Sequence, residues 1–466
     1  MKFDIIIIGA GMAGLPCAIR AADRNKKILL VNKNKNIGGK LDRSTGQIAA
    51  AGTNIQKRKK IQDNPNLHLR EAWEICKGTA NLSLLKLAID NAADTVNWLE
   101  TIGVNFPENH PVITYQHDIY STRRYQWPIG YGKEILDCMS ILINKYIDTN
   151  NITIINETIL IDFIKDKNDK IEGVTLLNNK NKKIKYYSNN IVLTAGGYTN
   201  NEKIFNKFSP GVTLYTPKFT GSEGLVHELA HSYNIQLDGG HLYKGMIGGV
   251  LNKKNDKHSV SISLNTIPQD RQPWEIWINC EGNRFLREDH PSADYRRHKV
   301  NIQTKQKFFI IFDEGVLVNS PSISITNDGG LQGHIKEELV LEKYQSVEAL
   351  AKGINVKVDN LYDTIKNYNY SVENKKDFFG REHLPRKIEE PPFYSIESVA
   401  FALPSPAGIA INEQFKVLNN DNIPIESLYA AGEIIGNTRI MGEYYIAGMG
   451  VGPTLTFGKL IGETLS

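Results

Sequence analysis

The chain has 466 residues, of which 41% are hydrophobic and 23% are charged, so it is long enough for about two or three domains with sizeable cores. Its net charge of +4 is small for this length and excludes the strongly basic class of nucleic-acid-binding proteins. The four cysteines form no C-x-x-C pair and no apolar run reaches the ~18 residues of a membrane helix, so we expect a cytoplasmic protein with reduced thiols, no metal site and no signal peptide.

The N-terminal segment has the pattern of a dinucleotide-binding turn. Isoleucines at 5–8 predict a buried strand, and glycines at 9, 11 and 14 lead into a helical pattern. Gly9 allows a tight turn, Gly11 leaves room for a pyrophosphate, and Gly14 lets the helix lie close to the strand. The free N–H groups at the start of that helix would face the phosphates.

A second predicted strand, 27–31, ends at Asn32. Dinucleotide-binding proteins usually carry Asp or Glu at this place for the ribose hydroxyls. The amide of Asn32 can donate and accept hydrogen bonds but has no charge, so we expect a weaker ribose contact.

Small residues recur in three further places that are far apart in the sequence: 38–53, 194–197 and 427–458. A nicotinamide cofactor needs one such turn, whereas extended FAD runs across a domain and needs several, so we expect FAD. Between 239 and 390 the alternation of strands and helices is lost. We therefore predict an α/β fold: a Rossmann-like FAD/NAD(P)-binding domain with a parallel sheet, residues 1–238 and 391–466, interrupted by an α+β domain, residues 239–390.

The order of the motifs carries a family resemblance. G-x-G-x-x-G is followed by a loop rich in Gly, Ser, Thr and Ala, then by T-A-G-G, N-x-x-G-x-R-F, A-A-G-E and G-P-T-L-T-F-G. This order resembles the flavoprotein family of fumarate reductase and succinate dehydrogenase, which includes the 3-ketosteroid dehydrogenases. The resemblance implies that the inserted domain is a mobile capping domain over the active site. It also implies hydride transfer between flavin N5 and a C–C bond next to a carbonyl.

The resemblance further implies a set of FAD contacts. Glu433 would hold the ribityl chain, and the N–H groups of Thr454 and Leu455 would face the flavin C2 carbonyl. The segment 44–52 has no histidine where some members attach FAD covalently, so we expect non-covalent FAD. The complete set of expected cofactor residues is Gly9, Gly11, Ala13, Gly14, Asn32, Lys33, Gly39, Lys40, Ala51, Gly52, Thr158, Ala195, Gly196, Gly197, Gly432, Glu433, Gly448, Thr454 and Leu455.

Two carboxylate-binding residues of the fumarate reductases are absent from their usual places. The segment 403–408 has no histidine, and Tyr444 and Tyr445 stand where an arginine is expected. A tyrosine four residues before Gly448 resembles the ketosteroid dehydrogenases, in which a Tyr hydroxyl and a Gly N–H polarise a ketone. A ketone needs only neutral donors, so this pair suits it chemically. The alternative role of these tyrosines is to pack against the flavin.

In the reductases, a proton-delivering arginine linked to a glutamate follows the R-F motif. Glu288 matches the glutamate, and Arg296 or Arg297 could reach it from a longer loop; the alternative is a structural ion pair. An aromatic loop, 115–125, could line an apolar pocket. The expected catalytic residues are Tyr444, Tyr445, Gly448, Arg296, Arg297 and Glu288.

Three functions stay open from the sequence. The first is an FAD-dependent enone or ketosteroid-like dehydrogenase or reductase acting on CH–CH groups. The second is a fumarate-type reductase whose carboxylate clamp is rebuilt from Arg123, Arg124 or Arg439. The third is a non-catalytic flavin-binding sensor. No haem motif or iron–sulfur cysteine pattern occurs, so the expected partners are a small-molecule substrate and an unidentified electron donor or acceptor.

Overall fold

The computed structural model describes residues 2–217, 221–251, 258–323 and 341–465. The helices of these residues are α1 (Gly14–Ala22), α2 (Asn54–Arg58), α3 (Pro65–Ile75), α4 (Leu82–Thr101), α5 (Tyr131–Asp148), α6 (Glu202–Phe208), α7 (Leu225–Leu229), α8 (Ala293–Asn301), α9 (Glu314–Asn319), α10 (Val347–Gly353), α11 (Val358–Asn374), α12 (Thr438–Met441) and α13 (Val451–Thr464).

The strands of the same residues are β1 (Ile5–Ile8), β2 (Ile28–Val31), β3 (Ile48–Ala49), β4 (Tyr125–Gln126), β5 (Ile152–Ile155), β6 (Thr158–Lys165), β7 (Ile171–Asn178), β8 (Lys183–Tyr187), β9 (Ile191–Leu193), β10 (Leu237–Asp238), β11 (Met246–Leu251), β12 (Val260–Ser263), β13 (Ile276–Ile278), β14 (Lys307–Asp313), β15 (Glu342–Tyr344), β16 (Phe393–Phe401), β17 (Gly408–Ile409), β18 (Lys416–Leu418) and β19 (Pro424–Ala430).

Six strands form a largely parallel sheet in the order β18–β19–β9–β1–β2–β5. β1 lies inside the sheet and runs parallel to β2 and β9, with Ile6 opposite Leu29 and Ile191. Its four isoleucines are buried, as expected for a strand in a parallel sheet. β19 joins β9 in parallel, so segments from both ends of the chain build one sheet. The predicted α/β Rossmann-like fold is therefore confirmed.

The last helix lies directly against the first. A Cβ added at Gly458 would overlap Ala13 O, and one at Gly462 would overlap Cys17 O. Because these glycines are four residues apart, they share one face of α13 and let it approach α1 closely. The contact brings the first turn of α13 next to the N-terminal glycine turn.

The second sheet is antiparallel and has the order β12–β11–β16–β14–β13, with β15 also paired to β16. β14 and β16 pair over seven positions, from Lys307 opposite Val399 to Asp313 opposite Phe393. Its buried core includes Trp277, Phe308 and Ile310. β16 lies beyond residue 390, where the predicted capping segment ends, yet it pairs with three strands of that segment. The division of the chain into domains stays a prediction.

Among the described residues, no helix is both long enough and apolar enough to cross a lipid bilayer. The four cysteines are present as free thiols.

Candidate active site

The three glycines of the N-terminal turn have different roles. A Cβ at Gly9 would overlap the carbonyl oxygen of Thr194, and one at Gly14 would overlap the carbonyl oxygen of Gly9, so both positions depend on close packing. Gly9 also has a φ of +118°, which side chains rarely adopt. The nearest atom to a Cβ at Gly11 would be the Cα of Gly39, 3.8 Å away. A Cβ at Gly11 would therefore make only an ordinary van der Waals contact with the protein, and Gly11 borders open space on its other side.

That space belongs to a cavity of ≈520 Å³ that extends from the glycine turn to the loop before α13. Most of the expected cofactor residues border it, namely Gly9, Gly11, Ala13, Asn32, Lys33, Gly39, Lys40, Thr158, Ala195, Gly196, Gly432, Glu433, Gly448 and Thr454. The others, Gly14, Ala51, Gly52, Gly197 and Leu455, are not part of its lining.

At one end of the cavity, Asn32 organises the loop that follows β2. The two N–H groups of its amide are shared among three acceptors within hydrogen-bond distance of Nδ2: Asn34 O at 2.8 Å, Asn36 O at 3.0 Å and Asn156 Oδ1 at 2.9 Å. Since the amide nitrogen is committed to these acceptors, Asn32 Oδ1 is the atom that could accept from a ribose hydroxyl. Thr158, at the start of β6, borders the same end, and its N–H donates to Asn32 O at 3.0 Å. The neighbouring Lys33 forms an ion pair with Glu223.

In the middle of the cavity, Glu433 is held by a lysine and a serine. Lys40 Nζ lies 2.9 Å from its Oε2, and the N–H and hydroxyl of Ser405 each lie 3.0 Å from its Oε1. Burial favours the neutral acid, but Lys40 and Ser405 outweigh it and lower the pKa of Glu433. Gly197 lies behind this group, because a Cβ there would overlap Ser405 Oγ and Glu433 Oε1.

The loop from 44 to 53 borders the cavity with its N-terminal residues rather than with its C-terminal ones. Ser44, Thr45 and Gln47 border the cavity. Gly52 instead donates its N–H to Gln56 Oε1 at 2.6 Å, within the capping box that starts α2. The structure thus places in the cavity lining residues four to eight positions before Ala51 and Gly52, within the same loop rich in small residues that the sequence indicated.

The first turn of α13 also differs by a few residues from the expectation. The helix starts at Val451, and Pro453 has no N–H. A helix that starts there leaves free the N–H groups of its first residues, including Val451 and Gly452. Leu455 is fully buried outside the cavity lining, whereas Val451 and Thr454 border the cavity. The helix start therefore favours Val451 over Leu455 as a donor towards a ligand.

Three residues from distant segments meet at the other end of the cavity: Tyr445, Arg297 of α8 and His117 of the aromatic loop. The Arg297 guanidinium carbon lies 4.5 Å from the centre of the Tyr445 ring, and the His117 ring stacks on Tyr445 with centroids 5.8 Å apart. Arg297 Nη2 lies 3.3 Å from His117 Nδ1. Tyr445 and His117 border the cavity, and Arg297 supports both from behind.

The charge states of this cluster follow from its burial. Burial and the nearby Arg297 lower the pKa of His117 to about 3, so its Nδ1 can accept the arginine N–H. Burial raises the pKa of Tyr445 to about 12 although Arg297 opposes the rise. Burial also lowers the pKa of Arg297, which Tyr445 and Asp294 counteract. At neutral pH the cluster therefore presents a neutral imidazole and a protonated phenol.

Tyr444 lies in a different environment from its neighbour. Its ring is held between Lys77 and Lys244, whose Nζ atoms are each 4.6 Å from the ring centre. It borders a second cavity of ≈20 Å³ and is not part of the lining of the large one. Of the two expected tyrosines, only Tyr445 therefore reaches the large cavity.

The structure gives Glu288 other partners than Arg296 and Arg297, the residues expected to form a relay with it. Glu288 is 1% exposed and is bound by Arg284, at 2.7 and 2.9 Å, and by Arg381 at 3.5 Å. Within the described ranges, no hydrogen bond or ion pair joins it to Arg296 or Arg297. The Trp277 N–H also donates to Glu288 Oε1 at 3.1 Å. Glu288 is thus part of a structural ion-pair network in the second sheet.

Arg296 is not part of the cavity lining either. Its Nη1 donates to the backbone carbonyls of His290 and Ser292. Burial and the adjacent Arg297 lower the pKa of Arg296 to about 10. Of the two predicted arginines, Arg297 is the one in contact with cavity residues.

The three arginines proposed for a rebuilt carboxylate clamp are engaged elsewhere. Arg124 is fully buried and is bound by Asp63 at 2.8 Å and Glu71 at 2.7 Å. Arg439 is paired with Asp238, and Arg123 is exposed outside the cavity lining. A carboxylate clamp, if the chain has one, must therefore use other residues.

The residues present fit an FAD molecule. The cavity joins a glycine turn at a helix start, a neutral ribose acceptor and a buried carboxylate, which are the groups that bind pyrophosphate, ribose and ribityl hydroxyls. The Ser222 hydroxyl also borders the cavity, and it is buried without a hydrogen-bond partner in the described part of the chain. Such an orphaned group indicates a polar ligand.

Comparisons with known proteins agree with this reading of the cavity. The model of a protein family described as "FAD binding domain" matches residues 4–450. The fumarate reductase (cytochrome) of Shewanella frigidimarina is 25% identical over 99% of this chain and 76% of its own length. The vinyl phenol reductase of Lactiplantibacillus plantarum is 24% identical over 92% of this chain and 89% of its own length.

A solved structure extends the comparison of folds. The 3-ketosteroid Δ1-dehydrogenase of Sterolibacterium denitrificans superposes with a TM-score of 0.79 at 17% identity, over 100% of this chain and 99% of that one. At this sequence identity, the similarity supports a conclusion about the fold alone. The relatives confirm the predicted FAD-dependent oxidoreductase acting on CH–CH groups. Because the family model matches nearly the whole chain, the protein belongs to the FAD-binding-domain family.

Proposed function

We propose that the protein is an FAD-dependent oxidoreductase that adds or removes hydrogen across a C–C bond α,β to a carbonyl, with an enone or steroid-like ketone as substrate. The observation that carries this proposal is that Tyr445 and Gly448, both able to donate a neutral hydrogen bond, border one end of the cavity that fits FAD. A ketone oxygen that gains negative charge needs only such donors. Bound FAD would supply the hydride acceptor or donor.

The roles of the chain's residues follow from their positions. The Tyr445 hydroxyl, whose pKa is raised to about 12 by burial, stays protonated and donates to the substrate carbonyl. The Gly448 N–H donates to the same oxygen. Arg297, in contact with Tyr445 and outside the cavity lining, holds the phenol ring and acts on the substrate only through that tyrosine.

We further propose that FAD is held without a covalent bond. No histidine occurs from 44 to 52, and Ser44, Thr45 and Gln47 are the residues of this loop that border the cavity. Denaturation in trichloroacetic acid should release all yellow colour into the supernatant. Colour retained in the protein pellet would contradict this proposal.

An unsaturated carboxylate is the second candidate substrate, and one observation favours it. Arg297 is 3% exposed, its Nε has no hydrogen-bond partner in the described part of the chain, and the carboxylate of Asp294 is 3.8 Å from its Nη1. A buried guanidinium with free N–H groups beside a cavity would pair well with a substrate carboxylate. The likeness to fumarate reductase at 25% identity points the same way.

An anaerobic reoxidation experiment separates the two candidates. Dithionite-reduced holoenzyme is mixed with 4-hydroxybenzylideneacetone, an aromatic enone, or with fumarate, and flavin absorbance is followed. The saturated ketone and succinate are the matched controls. We expect the enone to reoxidise the flavin faster than fumarate does; the reverse order would favour the carboxylate.

If neither acceptor reoxidises the flavin faster than its saturated control, the proposed function fails. The variant Arg297→Met adds a second discrimination when both acceptors are measured: it should abolish turnover of fumarate but only weaken enone reduction if Arg297 binds a carboxylate, whereas an equal loss for both acceptors would mean that Arg297 only supports Tyr445. The predicted cytoplasmic location and the electron partner stay predictions, which cell fractionation and a screen of NADH, reduced flavins and quinols as donors would test.

A further inference from the structure

We propose that His68 and Tyr120 form a hydrogen-bond chain that positions and polarises the Ala447–Gly448 peptide, so that the Gly448 N–H is aligned as the donor to the substrate carbonyl. Neither His68 nor Tyr120 borders the cavity, so both are positioning residues. The inference rests on the proposed function, which gives the Gly448 N–H its role.

The direction of each hydrogen bond in this chain is fixed by the groups themselves. The Tyr120 hydroxyl lies 3.1 Å from Ala447 O, which can only accept, so Tyr120 donates its single proton there. The same hydroxyl lies 3.1 Å from His68 Nε2, so His68 must donate to the tyrosine oxygen. His68 therefore carries its proton on Nε2.

The protonation state of His68 agrees with that direction. His68 is fully buried, and burial together with the charge of Arg124 lowers its pKa well below the ordinary value. A neutral imidazole has one N–H, and within the described ranges His68 Nδ1 has no hydrogen-bond partner. A neutral ring with the proton on Nε2 satisfies both observations.

The Ala447–Gly448 peptide, at the end of this hydrogen-bond chain, has a fixed orientation. In a trans peptide the C=O of Ala447 and the N–H of Gly448 point in opposite directions, so the N–H points away from Tyr120. Gly448 borders the cavity, and its N–H has no acceptor among the residues that the structure describes. A hydrogen bond to the carbonyl makes the N–H of the same peptide a stronger donor.

Tyr120 itself cannot turn away from the peptide. It is 3% exposed, and the Arg124 guanidinium lies 4.7 Å from its ring centre. Arg124 is in turn fixed by the carboxylates of Asp63 and Glu71. A backbone bridge between Asp118 and Ile446 ties the aromatic loop to the segment that carries the peptide. These contacts explain why a buried ion-pair network lies behind this loop.

The test uses the FAD-loaded enzyme and the acceptor that it reduces, the enone or fumarate. In Tyr120→Phe we expect kcat to fall about tenfold, less than the ~100-fold of losing a donor itself, with KM and FAD content nearly unchanged. The matched control is Tyr125→Phe, because Tyr125 is equally buried in the same loop and its hydroxyl has no partner within the described residues.

Two variants of His68 test the hydrogen-bond chain without altering Tyr120. His68→Gln keeps an N–H donor and should retain most of kcat, whereas His68→Leu removes the donor and should resemble Tyr120→Phe. The absorbance spectrum of a bound enone provides a second measurement, which a simple loss of packing would not change. The spectrum of bound 4-hydroxybenzylideneacetone should shift to longer wavelength in the wild type and less in Tyr120→Phe, because the shift reports polarisation of its carbonyl.

The outcomes separate this inference from the proposed function. If the wild type reduces an acceptor but Tyr120→Phe has the same kcat as Tyr125→Phe, the inference is wrong and the function stands. Equal values of kcat for His68→Gln and His68→Leu would likewise contradict the proposed hydrogen-bond chain. If the wild type reduces neither acceptor, the proposed function fails and the inference fails with it.

Discussion

The adjacent residues Tyr444 and Tyr445 lie in different environments. Tyr445 borders the large cavity beside Arg297 and His117, while the Tyr444 ring lies between the ammonium groups of Lys77 and Lys244. The sequence narrowed the carbonyl-binding residue to these two tyrosines. It could not choose between them because the choice depends on lysines and an arginine that are distant in the sequence.

We expect Tyr445→Phe to lower the rate of enone reduction about 100-fold, because it removes a donor to the carbonyl oxygen while the ring keeps its contacts. Tyr444→Phe should change that rate by less than about threefold, since its hydroxyl lies outside the cavity. Stopped-flow reoxidation of the reduced holoenzyme measures both rates. A larger loss of rate in Tyr444→Phe than in Tyr445→Phe would contradict this assignment and would make Tyr444 the donor to the carbonyl.

At the scale of elements, the turn between β1 and α1 could be predicted almost completely. Its glycines act on neighbours that are close in sequence or in the parallel sheet, so the motif alone fixes the geometry. The relay of Glu288 could not be predicted in the same way. Its partners include Arg284, four residues earlier, and Arg381, which arrives from a loop after α11. Which carboxylate pairs with which arginine depends on how the second sheet packs.

Two alanine substitutions in the turn should have separate effects. In Gly14→Ala the new methyl overlaps the Gly9 carbonyl, so we expect the free energy of unfolding to fall by about 1–3 kcal/mol. In Gly11→Ala the nearest protein atom to the new methyl, Gly39 Cα, is 3.8 Å away at ordinary van der Waals distance, so the apoprotein should keep its stability within about 0.5 kcal/mol. Because the methyl enters the cavity, FAD affinity should fall by about tenfold or more.

Urea unfolding of the apoprotein and fluorescence titration with FAD distinguish these two effects. A Gly11→Ala apoprotein as unstable as Gly14→Ala would mean that Gly11 has a packing role. An unchanged FAD affinity in Gly11→Ala would mean that the pyrophosphate does not approach this turn.

For the whole molecule, the order of motifs predicted the fold because both ends of the chain contribute to one parallel sheet. The candidate site was harder to predict, since the end of the cavity proposed to bind the substrate joins segments near residues 117, 297 and 445. The motifs mark the loops that bind a common cofactor. Tyr445 was indicated by its place before the last glycine loop, but His117 and Arg297 reach it from distant segments, and only the tertiary contacts of α8 and the aromatic loop with Tyr445 bring the three together.

The buried histidines make stability depend on pH across the whole molecule. Burial lowers the pKa of His117 to about 3 and that of His227 to about 4, and it lowers the pKa of His68 well below the ordinary value. In the unfolded chain each histidine has its ordinary pKa of about 6.5. Between about pH 6.5 and 4 the unfolded chain therefore binds more protons than the folded one, so the free energy of unfolding falls as the pH falls.

Each such histidine adds about 1.4 kcal/mol per pH unit to this slope below pH 6. We expect His117→Gln to reduce the slope by one such increment, because the variant has no group to protonate. The exposed His231 provides the matched control His231→Gln, which should leave the slope unchanged. Urea unfolding of the holoenzyme at pH 6.0, 5.5 and 5.0 measures the slopes. If His117→Gln kept the wild-type slope, His117 would be charged in the folded protein, and its nitrogen could not accept the hydrogen bond from Arg297 that holds the catalytic end together.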